Sequence, residues 1–166
     1  MQQLSDLDMV TFRRLVDEAA CRSLIERYTY AVDWMNWAGL EALFWQDAFL
    51  DFGMWKGNRA EFIPWVTQLE ESYRRRLHMF SAPRIEVMGE LARIEAGVLM
   101  FLRQSPERDD LLLARYQFQA ARRNGEWRLS KLHFFLHGSQ SFPASDQGGA
   151  PFFADGLDTS HALFAQ

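Results

Sequence analysis

Residues 111–137, LLLARYQFQAARRNGEWRLSKLHFFLH, decide the fold. Two β-rich runs, 111–123 and 126–137, flank the pair Asn124-Gly125. Asn-Gly tolerates positive φ at both central positions, so a two-residue hairpin is the expected joint. A period near two also runs through 77–88 and 91–103, which are joined by Gly89-Glu90, and the polar stretch 105–110 leads into 111–123. Pro83 has no N–H to give a ladder, so it is expected to bulge or bend the first of these strands.

The period is helical ahead of the strands. Across residues 11–33, Val16, Ala20, Leu24, Tyr28 and Val32 recur every four positions, and Arg13, Arg14, Asp17, Glu18, Arg22 and Glu26 take the other side. Asn36 is expected to cap a short helix over 37–45, and 48–55 reads as a Phe- and Trp-rich strand closed by the turn Lys56-Gly57-Asn58. Asn58 is placed to cap a third helix with Phe62, Val66, Leu69 and Tyr73 on one stripe and Pro64 kinking its start. Helices first and antiparallel strands after predict an α+β fold: a strongly curved antiparallel sheet wrapped around N-terminal helices, a cone-shaped barrel whose mouth is a pocket. Residues 1–137 form this domain. Residues 138–166, with scattered Phe142, Phe152, Phe153 and Phe164, read as a tail that is a lid or a subunit contact.

Composition narrows the function. The 166 residues carry a net charge of −4, and the basic clusters Arg74-Arg75-Arg76 and Arg122-Arg123 are short, which argues against a nucleic-acid partner. Fourteen Phe, six Trp and four Tyr suit either a bulky core or a pocket for an apolar or aromatic ligand. The lone Cys21 excludes an internal disulfide and a Cys-based metal site. No apolar run is long enough for a membrane span, and residues 1–8 are polar rather than signal-like, so the expected location is cytoplasmic.

Phosphate-cradling glycine loops, G-x-S-x-G and H-E-x-x-H are all absent. His133 and His137 lie four apart on a strand but have no carboxylate at suitable spacing, so no metal and no cofactor is expected. Asp33 interrupts an apolar stretch, His78 sits between Leu77 and Met79-Phe80, and Tyr28 lies on the apolar stripe of the first helix. Singly these read as a helix-end Asp, a hydrogen-bonded core His and a core Tyr. Together they hold the parts of an acid–base site: a carboxylate to orient an imidazole, the imidazole as base, and a phenol to donate. Five helical residues turn through about 500°, leaving Tyr28 and Asp33 about 140° apart, so they would flank a pocket rather than share a face.

Three segments carry a resemblance. Residues 28–37, YTYAVDWMNW, resemble the end of the first helix of SnoaL-like (NTF2-like) proteins; 78–87, HMFSAPRIEV, resemble their first long strand; and 125–131, GEWRLSK, resemble their G-x-W hairpin. Within that superfamily the site pattern is similar to the group of scytalone dehydratase, hexachlorocyclohexane dehydrochlorinase and bile acid 7α-dehydratase, cofactor-independent lyases with an Asp–His pair. The resemblance places Asp33 and His78 on the dyad and Tyr28 on the bile acid enzyme's catalytic tyrosine. It departs at Val98, where scytalone dehydratase has a second histidine, and near Leu132 and His133, where the dehydrochlorinase has an arginine followed by a polar residue. The implied function is elimination, of water or of a small carbonyl such as formaldehyde, from a hydroxylated aromatic or polycyclic apolar molecule. Phe52, Met54, Trp55 and Met100 are expected to line the pocket, and Arg115 and His133 to hold a substrate oxygen or carboxylate. An isomerase or cyclase using the same dyad, and a non-catalytic ligand-binding module, are the alternatives. Relatives imply a homodimer or homotrimer.

Overall fold

The hairpin forms at Asn124 and Gly125, both with positive φ (53° and 82°), and it organises the sheet around it. In the computed structural model, which describes residues 6–144 and 157–162, the order is α1 (Asp6–Asp33), α2 (Trp37–Ala42), β1 (Phe44–Asp51), β2 (Lys56–Asn58), α3 (Arg59–Glu71), β3 (Arg75–Phe80), β4 (Arg84–Met88), β5 (Leu91–Ser105), β6 (Arg108–Arg123) and β7 (Glu126–Pro143). The fold is α+β with N-terminal helices and a strongly curved, unclosed sheet. Strand order is β2-β1-β7-β6-β5-β3, and β4 also pairs with β5. Pairings are antiparallel except β1 with β7, which run parallel, a departure from the expected all-antiparallel sheet.

The single strand expected over 77–88 is two strands. β3 and β4 lie end to end along the edge of β5 that β6 leaves free. Between them Ser81 N–H still donates to the Gly97 carbonyl (2.9 Å) and Gly97 N–H to Ser81 Oγ (3.1 Å), and the ladder resumes only at Arg84, after Pro83. The strand expected over 48–55 starts earlier, at Phe44, and ends at Asp51, because Phe52 N–H bonds the Trp55 carbonyl and closes a turn. β7 runs on to Pro143 rather than ending at 137. Of the tail, Phe152, Phe153 and Phe164 lie outside the described residues.

Asn58 caps α3 in a capping box: its side chain accepts from Glu61 N–H, and Glu61 Oε2 accepts from Asn58 N–H. Pro64 sits inside this helix rather than at its first turn. In α1 the apolar stripe is buried only over its second half: Leu24, Tyr28 and Val32 are interior, whereas Val16 is half exposed. Asp17, expected on the solvent side, is buried, because its Oδ1 accepts from Trp127 Nε1 (2.9 Å) and Arg122 Nη1 (2.8 Å) and so ties α1 to the β6–β7 hairpin. Cys21, one helical turn on, is fully buried, and burial followed by the Asp17 charge pushes its thiol up to about 12, leaving it inert. Asp17→Ala orphans the buried indole N–H. It should cost about 2 kcal/mol, read as a lower urea midpoint with an unchanged m-value.

Candidate active site

α1 stops abruptly at Asp33. Met35 takes a left-handed φ of 50°, Asn36 N–H reaches back to the Ala31 carbonyl (2.8 Å) and Met35 N–H to that of Val32 (3.1 Å), a Schellman closure built without glycine. This leaves Asp33 in the last turn, where a carboxylate opposes the helix dipole. Its partner comes from β3. His78 N–H donates to Asp33 Oδ2 (3.0 Å) and Oδ1 (3.2 Å), and His78 Nδ1 lies 2.7 Å from Oδ1. A carboxylate only accepts, so Nδ1 carries the proton, and the neutral ring presents the Nε2 lone pair.

His78 is buried. Desolvation pulls its basicity down, but the Asp33 hydrogen bond and the charges of Glu70 and Asp33 outweigh it, and the imidazole sits above the ordinary value of 6.5. A raised native value means the pair's contribution to stability is full below 6.5 and fades as pH rises through the native value.

Asp33 and His78 border a cleft of about 560 Å³ between α1 and the β3–β4 break, walled by Ile25, Tyr30, Trp34, Leu77, Phe80 and Pro83. The described end of the chain lies beside it: the His161 ring is 5.4 Å from Trp34, and Arg76 Nη1 is 3.5 Å from the Leu157 carbonyl. Tyr28 is on the other side of α1, sealed in the core. Its ring meets Phe44, Phe80, Tyr116 and Phe118 edge-on at 5.6–6.3 Å. Burial and a hydrogen bond shared with the Tyr116 hydroxyl raise the Tyr28 phenol well above 10.

Of the expected lining residues, Met100 is buried in cross-strand register with His78. Phe52 packs among Trp65, Tyr116 and Phe134, and Trp55 stacks on Trp65 at 4.7 Å. Met54 is 82% exposed, carried out by the turn after β1, and does not border the dyad cleft. Arg115 and His133 also fall away from the dyad cleft. On β6 the inward row is Ala114, Tyr116, Phe118 and Ala120, so Arg115 faces out and pairs with Glu95 (3.1 Å). On β7 a bulge at Ser130 shifts the alternation, burying Leu132 and turning His133 out beside Asp51 (3.8 Å). Both lie on the sheet's outer face, where His133 borders a separate depression of about 530 Å³ among Arg93, Glu95, Gln117 and Lys131. Among the described residues no set of three His, Cys, Asp or Glu groups comes together as a metal site.

Two groups escaped the sequence reading. Tyr116 was legible from the apolar row 114, 116, 118. Glu70 continues the i, i+4 series from Phe62 and Val66 and is buried with them.

The family model for the SnoaL-like domain matches residues 13–133, and the chain belongs to this family. No curated protein matches the sequence. Among solved structures, the fold is similar to a Novosphingobium aromaticivorans protein provisionally named a scytalone dehydratase (21% identity, 84% of this chain and 99% of that one, TM-score 0.73). It is also similar to a hexachlorocyclohexane dehydrochlorinase, LinA type 2 (24%, 89% and 98%, 0.70), and to an NTF2-like protein from N. aromaticivorans (20%, 82% and 92%, 0.73). At these identities the likeness is one of fold.

Asp33→Asn removes the charge that holds the imidazole up. The His78 titration midpoint, followed by NMR of the ring protons, should fall relative to the unmodified protein.

Proposed function

We propose that the chain is a cofactor-independent lyase that eliminates water or a small carbonyl such as formaldehyde from a hydroxylated aromatic or polycyclic apolar molecule. The observation that carries this reading is the 2.7 Å contact of His78 Nδ1 with Asp33 at the wall of a 560 Å³ cleft. An imidazole oriented through Nδ1 has Nε2 free to take a proton from carbon or from a hydroxyl. The apolar walls of the cleft suit an aromatic or polycyclic body. The names of the similar structures, a dehydratase and a dehydrochlorinase, belong to eliminating enzymes, in line with this chemistry.

Tyr28 enters as a support: sealed in the core with its hydroxyl engaged by Tyr116, it packs its ring edge-on against Phe80, which borders the cleft. His78, oriented by Asp33, moves the proton. A homodimer or homotrimer remains the proposed assembly, and a small apolar or aromatic molecule the proposed partner.

A panel of hydroxylated aromatic dimers, steroids and polyketides with mass readout tests the reading. Loss of the mass of water or of formaldehyde supports it, and turnover without mass change assigns isomerisation instead. With a turned-over substrate in hand, His78→Ala and Asp33→Asn should each lower kcat/KM by about 10²–10⁴-fold while circular dichroism stays native. Wild-type rates in both variants would defeat the dyad.

A further inference from the structure

β3 pairs only with β5, and its other edge is turned to α1 and the dyad cleft. In an antiparallel ladder alternate residues bond the partner strand, and the residues between them point N–H and C=O the other way. The printed bonds fix which are which. Ser81 N–H donates to the Gly97 carbonyl (2.9 Å), so the odd positions of this stretch serve β5. His78 N–H donates to Asp33 instead, so the even positions face out. The next outward N–H after His78 is that of Phe80, two residues and about 7 Å further along the edge.

Asp33 is already engaged by His78, and among the described residues nothing accepts from the Phe80 N–H. The Phe80 ring turns into the core, 6.2 Å from the ring of Tyr28 and 5.2 Å from that of Tyr116. The residue nevertheless borders the cleft, beside Asp33, His78 and Ser81. A backbone N–H left without an acceptor is costly. In a cleft, solvent can serve it, and a ligand oxygen can take the solvent's place.

Other polar hydrogens around the dyad are spent. The Tyr28 and Tyr116 hydroxyls are sealed in the core, Asp33 holds the Nδ1–H of His78, and the Thr29 hydroxyl donates to the Ile25 carbonyl (3.0 Å). The Phe80 N–H is the rigid donor that remains on the edge carrying His78. A base that strips a proton leaves negative charge to gather on a nearby oxygen, and a fixed N–H aimed at that oxygen stabilises it.

We propose that the backbone N–H of Phe80 is a substrate-binding donor of this site, bonding the ligand oxygen on which charge gathers as His78 removes the proton. This rests on the lyase-type reading of the dyad and narrows it: the substrate carries an acceptor oxygen, carbonyl or hydroxyl, that lies against the β3 edge while its reacting proton faces the imidazole.

Acetophenone and α-methylstyrene, matched in shape and differing by a carbonyl oxygen against a methylene, test the assignment. In NMR titration of the unmodified protein, acetophenone should move the Phe80 amide proton downfield more than any other amide of β3, and α-methylstyrene should not. Replacing Phe80 by its α-hydroxy analogue, phenyllactic acid, turns the N–H into an ester oxygen and keeps the ring. The acetophenone-to-α-methylstyrene affinity ratio should then fall about tenfold. The amide shift carries the test if the ester variant does not fold. A Phe80 amide moved alike by both probes, a ratio equal in the two proteins, or binding of neither probe overturns the proposal. The dyad is judged apart, because the His78 midpoint is read without ligand. A midpoint that falls in Asp33→Asn leaves the dyad standing even where Phe80 fails, and one that does not fall overturns the reading on which the Phe80 assignment rests.

Discussion

Asp33 accepts both donors of one residue, the backbone N–H and the Nδ1–H of His78, and the site hangs on that double attachment. β3 lies at the end of the sheet path, so the outward N–H of His78 has no strand to pair with. A helix end supplies the acceptor instead. The carboxylate that completes the sheet edge therefore also sets the imidazole tautomer, and neither task can be lost without the other. This accounts for an acidic residue at a helix C-terminus, where the dipole disfavours it, and for a left-handed Met35 immediately after: the chain must turn at once to keep Asp33 against β3.

The rest of the architecture separates an apolar interior from a charged exterior by strand parity. Rows such as His78–Met100–Leu112 and Tyr116–Phe134 point inward, while Arg115 and Gln117 each donate to Glu95 on the outer face. The bulge at Ser130 resets this parity midway along β7 and keeps Leu132 and Phe134 on the inside. Aromatic edges then fill the space between α1, α3 and β6, which is why Tyr28 touches four rings and finds its one polar partner in Tyr116.

Much of this was legible. The helical stripe through Tyr28, the Asn58 cap and the Asn124-Gly125 hairpin are local signals, and the chain obeys them because neighbouring residues alone specify them. The errors have non-local causes. Asp17 looked solvated because the indole it meets is 110 positions away in sequence. His133 was expected to hold a substrate oxygen, although the apolar spacing Trp127, Leu129, Leu132, Phe134 records a slip at Ser130 that turns it outward. Arg115 needed only its neighbours: with Ala114, Tyr116 and Phe118 in one row, an arginine between them belongs outside. Glu70 was passed over because Leu69 and Tyr73 made an apolar stripe on their own. The acid at the next i+4 position of the buried stripe is held there by Arg76, which arrives from β3 and was not visible from α3 alone.

These buried charges also link the fold to pH. His78 is raised by its partners, so the stability it contributes is present while the ring is charged and is lost as pH rises past the native value. Glu70 is raised by burial, so its native value exceeds that of the unfolded chain, and ionising it costs stability over the same direction of pH. Under the proposed chemistry a base at Nε2 requires the neutral ring, so the state suited to proton abstraction is the one in which His78 has given up its stabilising charge. Inside the fold the Glu70 charge is balanced by Arg76, whose Nε lies 3.3 Å from Oε2, so a leucine at position 70, though in line with Phe62 and Val66, would leave a buried guanidinium without its counter-charge.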